Sequence, residues 1–276
     1  MRVLWAARAG LVTAACLSGA ASAADADLRD HLQPIPASEW TVTLGAEGRI
    51  EPIFQGSNHD GLFPYPIVAV RHAGTPEPLR GPRDGVGIGI IDGGNFQIGP
   101  VGQLRLPRRA RAGTATQGLG TVPWAVELGV FGEYWWTPWL RGRAELRQGF
   151  NGHHGVASDL FADAVVPVGP QWTLSGGPRV TLASTAATAP YFSIDAVQSL
   201  ASGLPPFDAK GGVRSVGAGT QARYLLTPDL ATHAFIEYER LTGGAAGSPL
   251  VVQRGSANQV SVGFGATRSF DVRSPW

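Results

Sequence analysis

The densest chemistry in the chain lies between residues 127 and 147. Glu127 and Glu133 are followed, after Thr137-Pro138-Trp139, by Arg141, Arg143, Glu145 and Arg147 at alternate positions. Spacing by two places such side chains on one face of an extended chain. Facing rows of guanidinium and carboxylate can do either of two things. They can line a constriction that selects ions by charge, or they can pair with one another as salt bridges filling a narrow interior. Asp159, Asp163 and Arg179 repeat the pattern further on. For both groups the pairing reading is preferred.

Two other groups carry possible chemistry. His153 and His154, in Asn151-Gly152-His153-His154-Gly155, are the most tempting metal ligands. Neighbours on an extended chain point opposite ways, however, and no third ligand is evident. A turn at a rim accounts for them. His154 with Ser158 could serve an outer-membrane hydrolase, but in a strand the two stand about 13 Å apart. No partner acid or oxyanion donor accompanies them. No catalytic residue, metal site or cofactor is therefore assigned.

The elements that must position the charged rows are β-strands. Trp124, Val126, Leu128, Val130, Gly132, Tyr134 and Trp136 alternate with Ala125, Glu127, Gly129, Phe131, Glu133 and Trp135. Strict period two over this length gives one apolar and one carboxylate-bearing face. A three-residue loop at 137–139 sets Trp136 opposite Leu140, Glu133 opposite Arg143 and Trp135 opposite Arg141. Opposite charges then meet directly, whereas a two-residue loop would put arginines on the apolar face.

Alternation alone does not say which face is inside. The strands are long beside the soluble mode of about five or six residues. Ten residues tilted by about 40° span roughly 25 Å, the height of a barrel's apolar band. Trp124 at one end and Tyr134 and Trp136 at the other, with Trp172 later, suit an aromatic girdle. The charged face, dense in Arg, Glu and glycine, suits a crowded lumen. The expected fold is all-β, a single antiparallel transmembrane barrel of ten to twelve strands, twelve preferred because bacterial single-chain barrels use even numbers.

The amino terminus agrees with export. Arg2 and Arg8, an apolar run and Ala21-Ser22-Ala23 read as a signal peptide, residues 1–23. A polar periplasmic leader, 24–39, and the barrel, 40–276, follow. Cys16, the single cysteine, lies within the signal, so the mature chain would hold no disulfide. Apolar composition is an ordinary 43% and net charge is near zero. No later segment is apolar enough for a transmembrane helix. Basic residues alternate with acids, which argues against nucleic acid.

Further strands are expected over 40–54, 63–71 (its prolines confining order to the far end), 85–91 and 95–106 around an Asp92-Gly93-Gly94 turn, 156–168 and 172–182. Others follow over 216–226, 230–241 and 259–270. Tight turns at 137–139, 169–171 and 227–229 alternate with longer connections at 150–155, 183–210 and 242–257, as in outer-membrane barrels. The run Tyr191–Val197 looks like an additional strand that the side-counting does not accommodate. Glu237 and Glu239 face glycines and are expected to be the most solvated carboxylates.

With these segments in view, the chain resembles the MltA-interacting protein family, MipA/OmpV, of Gram-negative outer membranes. The matching stretches include LGAEG, PIFQGS and FPYP, then ELGVFGEY, LRGRAELRQGFNGHHG, DLFAD and SGGPRV. SGLPPF, GGVRSVG, YLLTPD, YERL and GSPLVVQRGSANQ complete the order. The resemblance implies an outer-membrane barrel in contact with lipid. For the family's namesake it implies a scaffold bridging a lytic transglycosylase and a murein synthase; other members look porin-like or adhesive. It supplies no catalytic motif. Family members tend to end on a Tyr-x-Phe strand. Here Arg268 replaces the tyrosine and DVRSPW follows Phe270, so either Phe270 or Trp276 would signal to the barrel-assembly machinery.

Overall fold

The structure, a computed structural model, describes residues 40–72 and 79–272. The expected signal peptide with Cys16, the leader and Trp276 lie outside these residues. Twelve strands form one antiparallel sheet curled into a barrel. They are β1 (Trp40–Pro52), β2 (Asp60–His72), β3 (Val86–Gly87), β4 (Ile91–Asp92), β5 (Phe96–Arg105) and β6 (Ala125–Thr137). The others are β7 (Leu140–Asn151), β8 (Val156–Val168), β9 (Trp172–Ala183), β10 (Gly212–Thr227), β11 (Leu230–Leu241) and β12 (Asn258–Val272). Among the described residues no helix is long and apolar enough to cross a membrane.

The register follows from which side chains tolerate which solvent. Glu133 pairs with Arg143 and Trp135 with Arg141, as the alternation requires. The register then shifts at Trp136, so Thr137 rather than Trp136 meets Leu140. Phe161 faces Arg179 across a three-residue turn. Slipping any of these pairings by one residue would turn arginines outward and valines inward.

Around the sheet the order is β2-β1-β12-β11-β10-β9-β8-β7-β6-β5-β3, with β4 also on β5. β3 and β4 therefore share one position in the wall. Between them the chain stays against β5, Ile88 N–H donating to Pro100 O (3.2 Å) and Ile90 N–H to Ile98 O (2.9 Å). The wall thus has eleven positions. An odd number leaves one pair of neighbours parallel, and that pair is β2 and β3. Both run from the long-loop end toward the tight-turn end, since His72 lies opposite Trp40 and Asp92 beside the 93–95 turn. Among the described residues no ladder joins them, and the seam lies there.

This seam explains two departures from expectation. Pro64 and Pro66 lie within β2 instead of ahead of it. In a strand, alternate residues aim their N–H groups at the same edge, so both prolines withhold a donor from one edge. The other edge holds a continuous ladder to β1. Proline is tolerated where no partner asks for its N–H. The 85–91 segment in turn is broken into two short pieces, its glycines lying under the side chains of Phe131 and Gln97, where a Cβ would collide.

The chain leaves β2 at the tight-turn end and rejoins the wall at Val86, opposite Gly102 in the far half. Residues 79–85 of this return run inside the cylinder, Gly81, Pro82 and Asp84 being buried. At the long-loop end the connections fold into a cap. It contains α1 (Thr185–Phe192), α2 (Ala196–Ser202), α3 (Gly243–Ala246) and α4 (Pro249–Arg254). The expected strand at Tyr191–Val197 is instead the end of α1, a single bridge from Ile194 to Phe207, and the start of α2. Asp195 and Gln198 close a capping box, and Gly203 ends α2 at φ 75°. Val122, Tyr191, Phe192, Leu241 and Val251 form one small apolar core of the cap. Leu119, Ile194, Leu204 and Leu250 form another. Arg108 ties this cap together through the carbonyls of Tyr191 and Leu119. Burial pushes its guanidinium down to about 10.

The wall's apolar rows face outward. Leu128, Val130, Leu146, Leu160 and Val166 are exposed, while the charged rows between them are buried. Trp124, Tyr134, Trp136 and Trp172 also face outward, Trp124 at the cap end and the others at the tight-turn end. Tyr134 meets Trp136 edge-on (5.5 Å) and Trp172 lies against Tyr224 (4.8 Å). Val130 stands mid-strand between Pro100 and Leu146, 56% exposed. Val130→Arg is expected to cost about 2–4 kcal/mol in lipid vesicles, and Val130→Leu less than about 1. Urea unfolding followed by tryptophan fluorescence measures both; equal costs would contradict a lipid-facing Val130.

Candidate functional site

The inward rows of β5 to β9 meet in a single ion-pair network. Arg141, with no exposed surface, is its centre: Nη2 donates to Asp84 Oδ2 (2.6 Å) and Glu133 Oε2 (2.8 Å), and Nη1 to Asp163 Oδ2 (3.2 Å). Asp163 also accepts from Arg179 Nη2 at 2.6 Å. Arg143 bridges Glu133 (3.2 Å) and Glu145 (2.8 Å). Arg147 bridges Glu127 (3.0 Å), Glu145 and Asp159. All nine residues singled out by the alternation therefore belong to one connected set of ion pairs. Arg143 also lies over the Phe131 ring at 3.9 Å and Arg179 over Phe161 at 5.1 Å.

Three contributors were not singled out from the sequence, two of them from a segment where periodicity carries no signal. Arg83 and Asp84 belong to the internal return segment. Arg83 donates to Thr181 Oγ1 (2.7 Å) and pairs with Glu237 (3.2 Å), Glu239 (3.4 Å) and Asp159 (3.5 Å). Asp84 meets Arg141, and Gly85 N–H donates to Glu145 Oε1 at 3.1 Å. Glu237, expected to be solvated, is instead only 5% exposed, because Arg83 from the return segment lies on it. The third is Arg105 on β5, whose Nε donates to Glu127 Oε1 at 2.7 Å.

The histidines separate. His153 is buried, its Nε2 2.9 Å from Glu127 Oε1 and its ring edge-on to Tyr191 at 6.0 Å, so it joins the network to the cap. His154 is exposed at the rim, and Ser158 sits in the outward row of β8 with Val156 and Leu160. Among the described residues no hydrogen bond joins His154 to Ser158, and no group of three His, Cys, Asp or Glu side chains could hold a metal ion.

A network this buried is a fastener and an obstacle together. Placing charges in a low-dielectric interior is costly, and removing one partner strands the others. Arg141→Ala would leave Asp84, Glu133 and Asp163 facing one another, with an expected loss of about 3–5 kcal/mol. By contrast Arg268→Ala removes an open pair with Asp229, whose side chains are 61% and 45% exposed, and a contact with the Phe270 ring, and is expected to leave stability nearly unchanged. Denaturation midpoints of the two variants check the difference.

Similar folds and sequences bear on what this arrangement belongs to. Among solved structures the chain is similar to "KdgM porin" (8% identity, TM-score 0.40), with 83% of this chain and 99% of that one covered. It is likewise similar to the COG4313 outer membrane channel from Pseudomonas putida F1 (13% identity, TM-score 0.40), over 86% and 97%. No curated protein matches the chain significantly. The family model for the MltA-interacting protein MipA matches residues 44–270, nearly the whole of the described barrel. The chain belongs to that family and is an outer-membrane β-barrel protein.

Proposed function

We propose that this barrel is closed to bulk diffusion and acts non-enzymatically through its surfaces, as a scaffold or interaction protein of the cell envelope. One observation carries the reading: along β6 to β9 the lumen is filled by paired charged side chains and by the return segment. Arg141, Arg147, Glu127 and Glu145 have almost no exposed surface, and residues 79–85 pass between the walls to bond them. The cap, with its own apolar cores, covers the long-loop end. A selectivity ring needs water on both sides of its charges; these charges are paired with one another.

From the resemblance to the family's namesake, the partners proposed are a lytic transglycosylase and a murein synthase. They would be met at the tight-turn end, which faces the periplasm in barrels whose long loops are outside. The barrel is expected to be placed in the membrane by the assembly machinery through Phe270 or Trp276.

Two measurements test this. In planar bilayers the purified protein is expected to give no stepwise conductance. Replacing residues 79–85 with a Gly-Ser segment of equal length should produce one. Large steps from the unaltered protein would favour the small-solute channel. Separately, native envelope complexes captured on the protein should contain a murein hydrolase or synthase. Their absence would remove the proposed partners while leaving the closed barrel. A barrel lipid hydrolase, the remaining reading, predicts lipase activity that a His154→Ala, Ser158→Ala double variant loses.

A further inference from the structure

Beneath the cap, walled in part by Arg83, Arg105 and Asp159 of the network, lies a cavity of about 200 Å³. Its lining includes Arg83, Gln103, Arg214, Glu237 and Glu239. Arg83 occupies one side of each glutamate, yet Glu237 Oε2 and Glu239 Oε1 are buried without a hydrogen-bond partner, as is Gln103 Oε1. Opposite in charge, Arg214 is 3% exposed and its Nε also finds no partner. Asp159 and Glu239 lie near enough to interact with its charge, but among the described residues no salt bridge closes on it.

Arg214 is there because the strand is irregular. Val213 faces Leu182 and the next pair is Ser215 with Thr181, so Arg214 is an extra residue bulged out of the β9–β10 ladder. Alternation would send one of Arg214 and Ser215 outward, but both are buried. Bulges re-aim side chains, typically beside functional sites. Here the bulge gives up ladder regularity to bury a guanidinium that the protein does not pair, which is costly unless another group pairs it.

The cavity also lies against the seam. β3 begins at Val86, opposite Gly102, so β5 beyond that point has no neighbour on its seam side. Leu104, on the outer face of β5 and 54% exposed, is among the residues lining the cavity, as are Phe63 and Tyr65 of β2, so the cavity borders the seam between β5 and β2.

We propose that this cavity binds a small zwitterion, its anionic end on Arg214 and its ammonium end on the free oxygens of Glu237 and Glu239, entering through the seam at Leu104. A simple anion would meet the two glutamates, and a simple cation would meet Arg214 and Arg83; a solute carrying both charges satisfies both ends. The volume, below the roughly 300–1,000 Å³ of drug-sized sites, restricts it to a few heavy atoms. The inference is independent of the scaffold reading, which concerns the barrel's outer surfaces.

Calorimetry on the full-length protein in detergent micelles tests it, with ω-amino acids from glycine to 6-aminohexanoate, and butyrate and butylammonium as half-molecules. One chain length is expected to bind saturably at one site, at least about tenfold more tightly than either half-molecule. Arg214→Met and the Glu237→Gln, Glu239→Gln pair should each weaken it about tenfold or more, with folding verified by unboiled gel mobility. Leu104→Trp, which leaves every binding group in place, should slow association without abolishing it, so a failure of the lumen variants to fold does not remove the test. No binding by any zwitterion, equal binding by a half-molecule, or unchanged binding in Arg214→Met overturns the proposal.

Discussion

Everything in this barrel rests on Arg141 and the carboxylates it holds. One guanidinium joins β6 through Glu133, β8 through Asp163 and the internal return segment through Asp84. Lipid outside the wall demands apolar residues at every second position, and the pleat then forces polar side chains into the lumen. Because that lumen is narrow, such side chains have little water to turn to and must satisfy one another. The Arg-carboxylate network is the consequence of the membrane, read from the inside.

The same network accounts for the odd wall. A barrel with eleven positions cannot close by antiparallel pairing throughout, so a seam falls between β2 and β3. The chain reaches the far half of the wall through the interior, where Arg83, Asp84 and Gly85 find partners waiting in the strands. Proline at the seam edge of β2 and the broken β3–β4 segment are local answers to this one topological fact. The Arg214 cavity borders the same seam, so the topology that fills the lumen also sets where that cavity meets the wall.

The cap adds a third region with a different physical basis. Its residues bury aliphatic and aromatic side chains against one another, as in a small soluble fold, while the wall below turns its aliphatics outward. His153 stands at the junction, bonded to Glu127 on the lumen side and packed on Tyr191 on the cap side. Barrel and cap are in this way bound through a polar contact and an aromatic one at the same residue.

Which parts were legible in advance follows from what alternation encodes. The β6–β7 and β8–β9 registers, the outward tryptophans and the nine charged residues follow from period two together with the need for opposite charges to meet, both local properties. The cap helices were not legible: α2 is too short to show a helical period, and the alternating apolar residues before it read as a strand. Arg83 and Asp84 sit in a proline-rich stretch without periodicity, and only the fold shows that the stretch returns through the lumen. Arg214 breaks the alternation it sits in, because a bulge is a relation between two strands and leaves no mark on one. Sequence by itself determined which side chains the lipid and the lumen each receive; tertiary structure alone decided how many strands close the wall, what crosses its interior and which buried charges remain without a partner, since those depend on contacts between residues far apart in the chain.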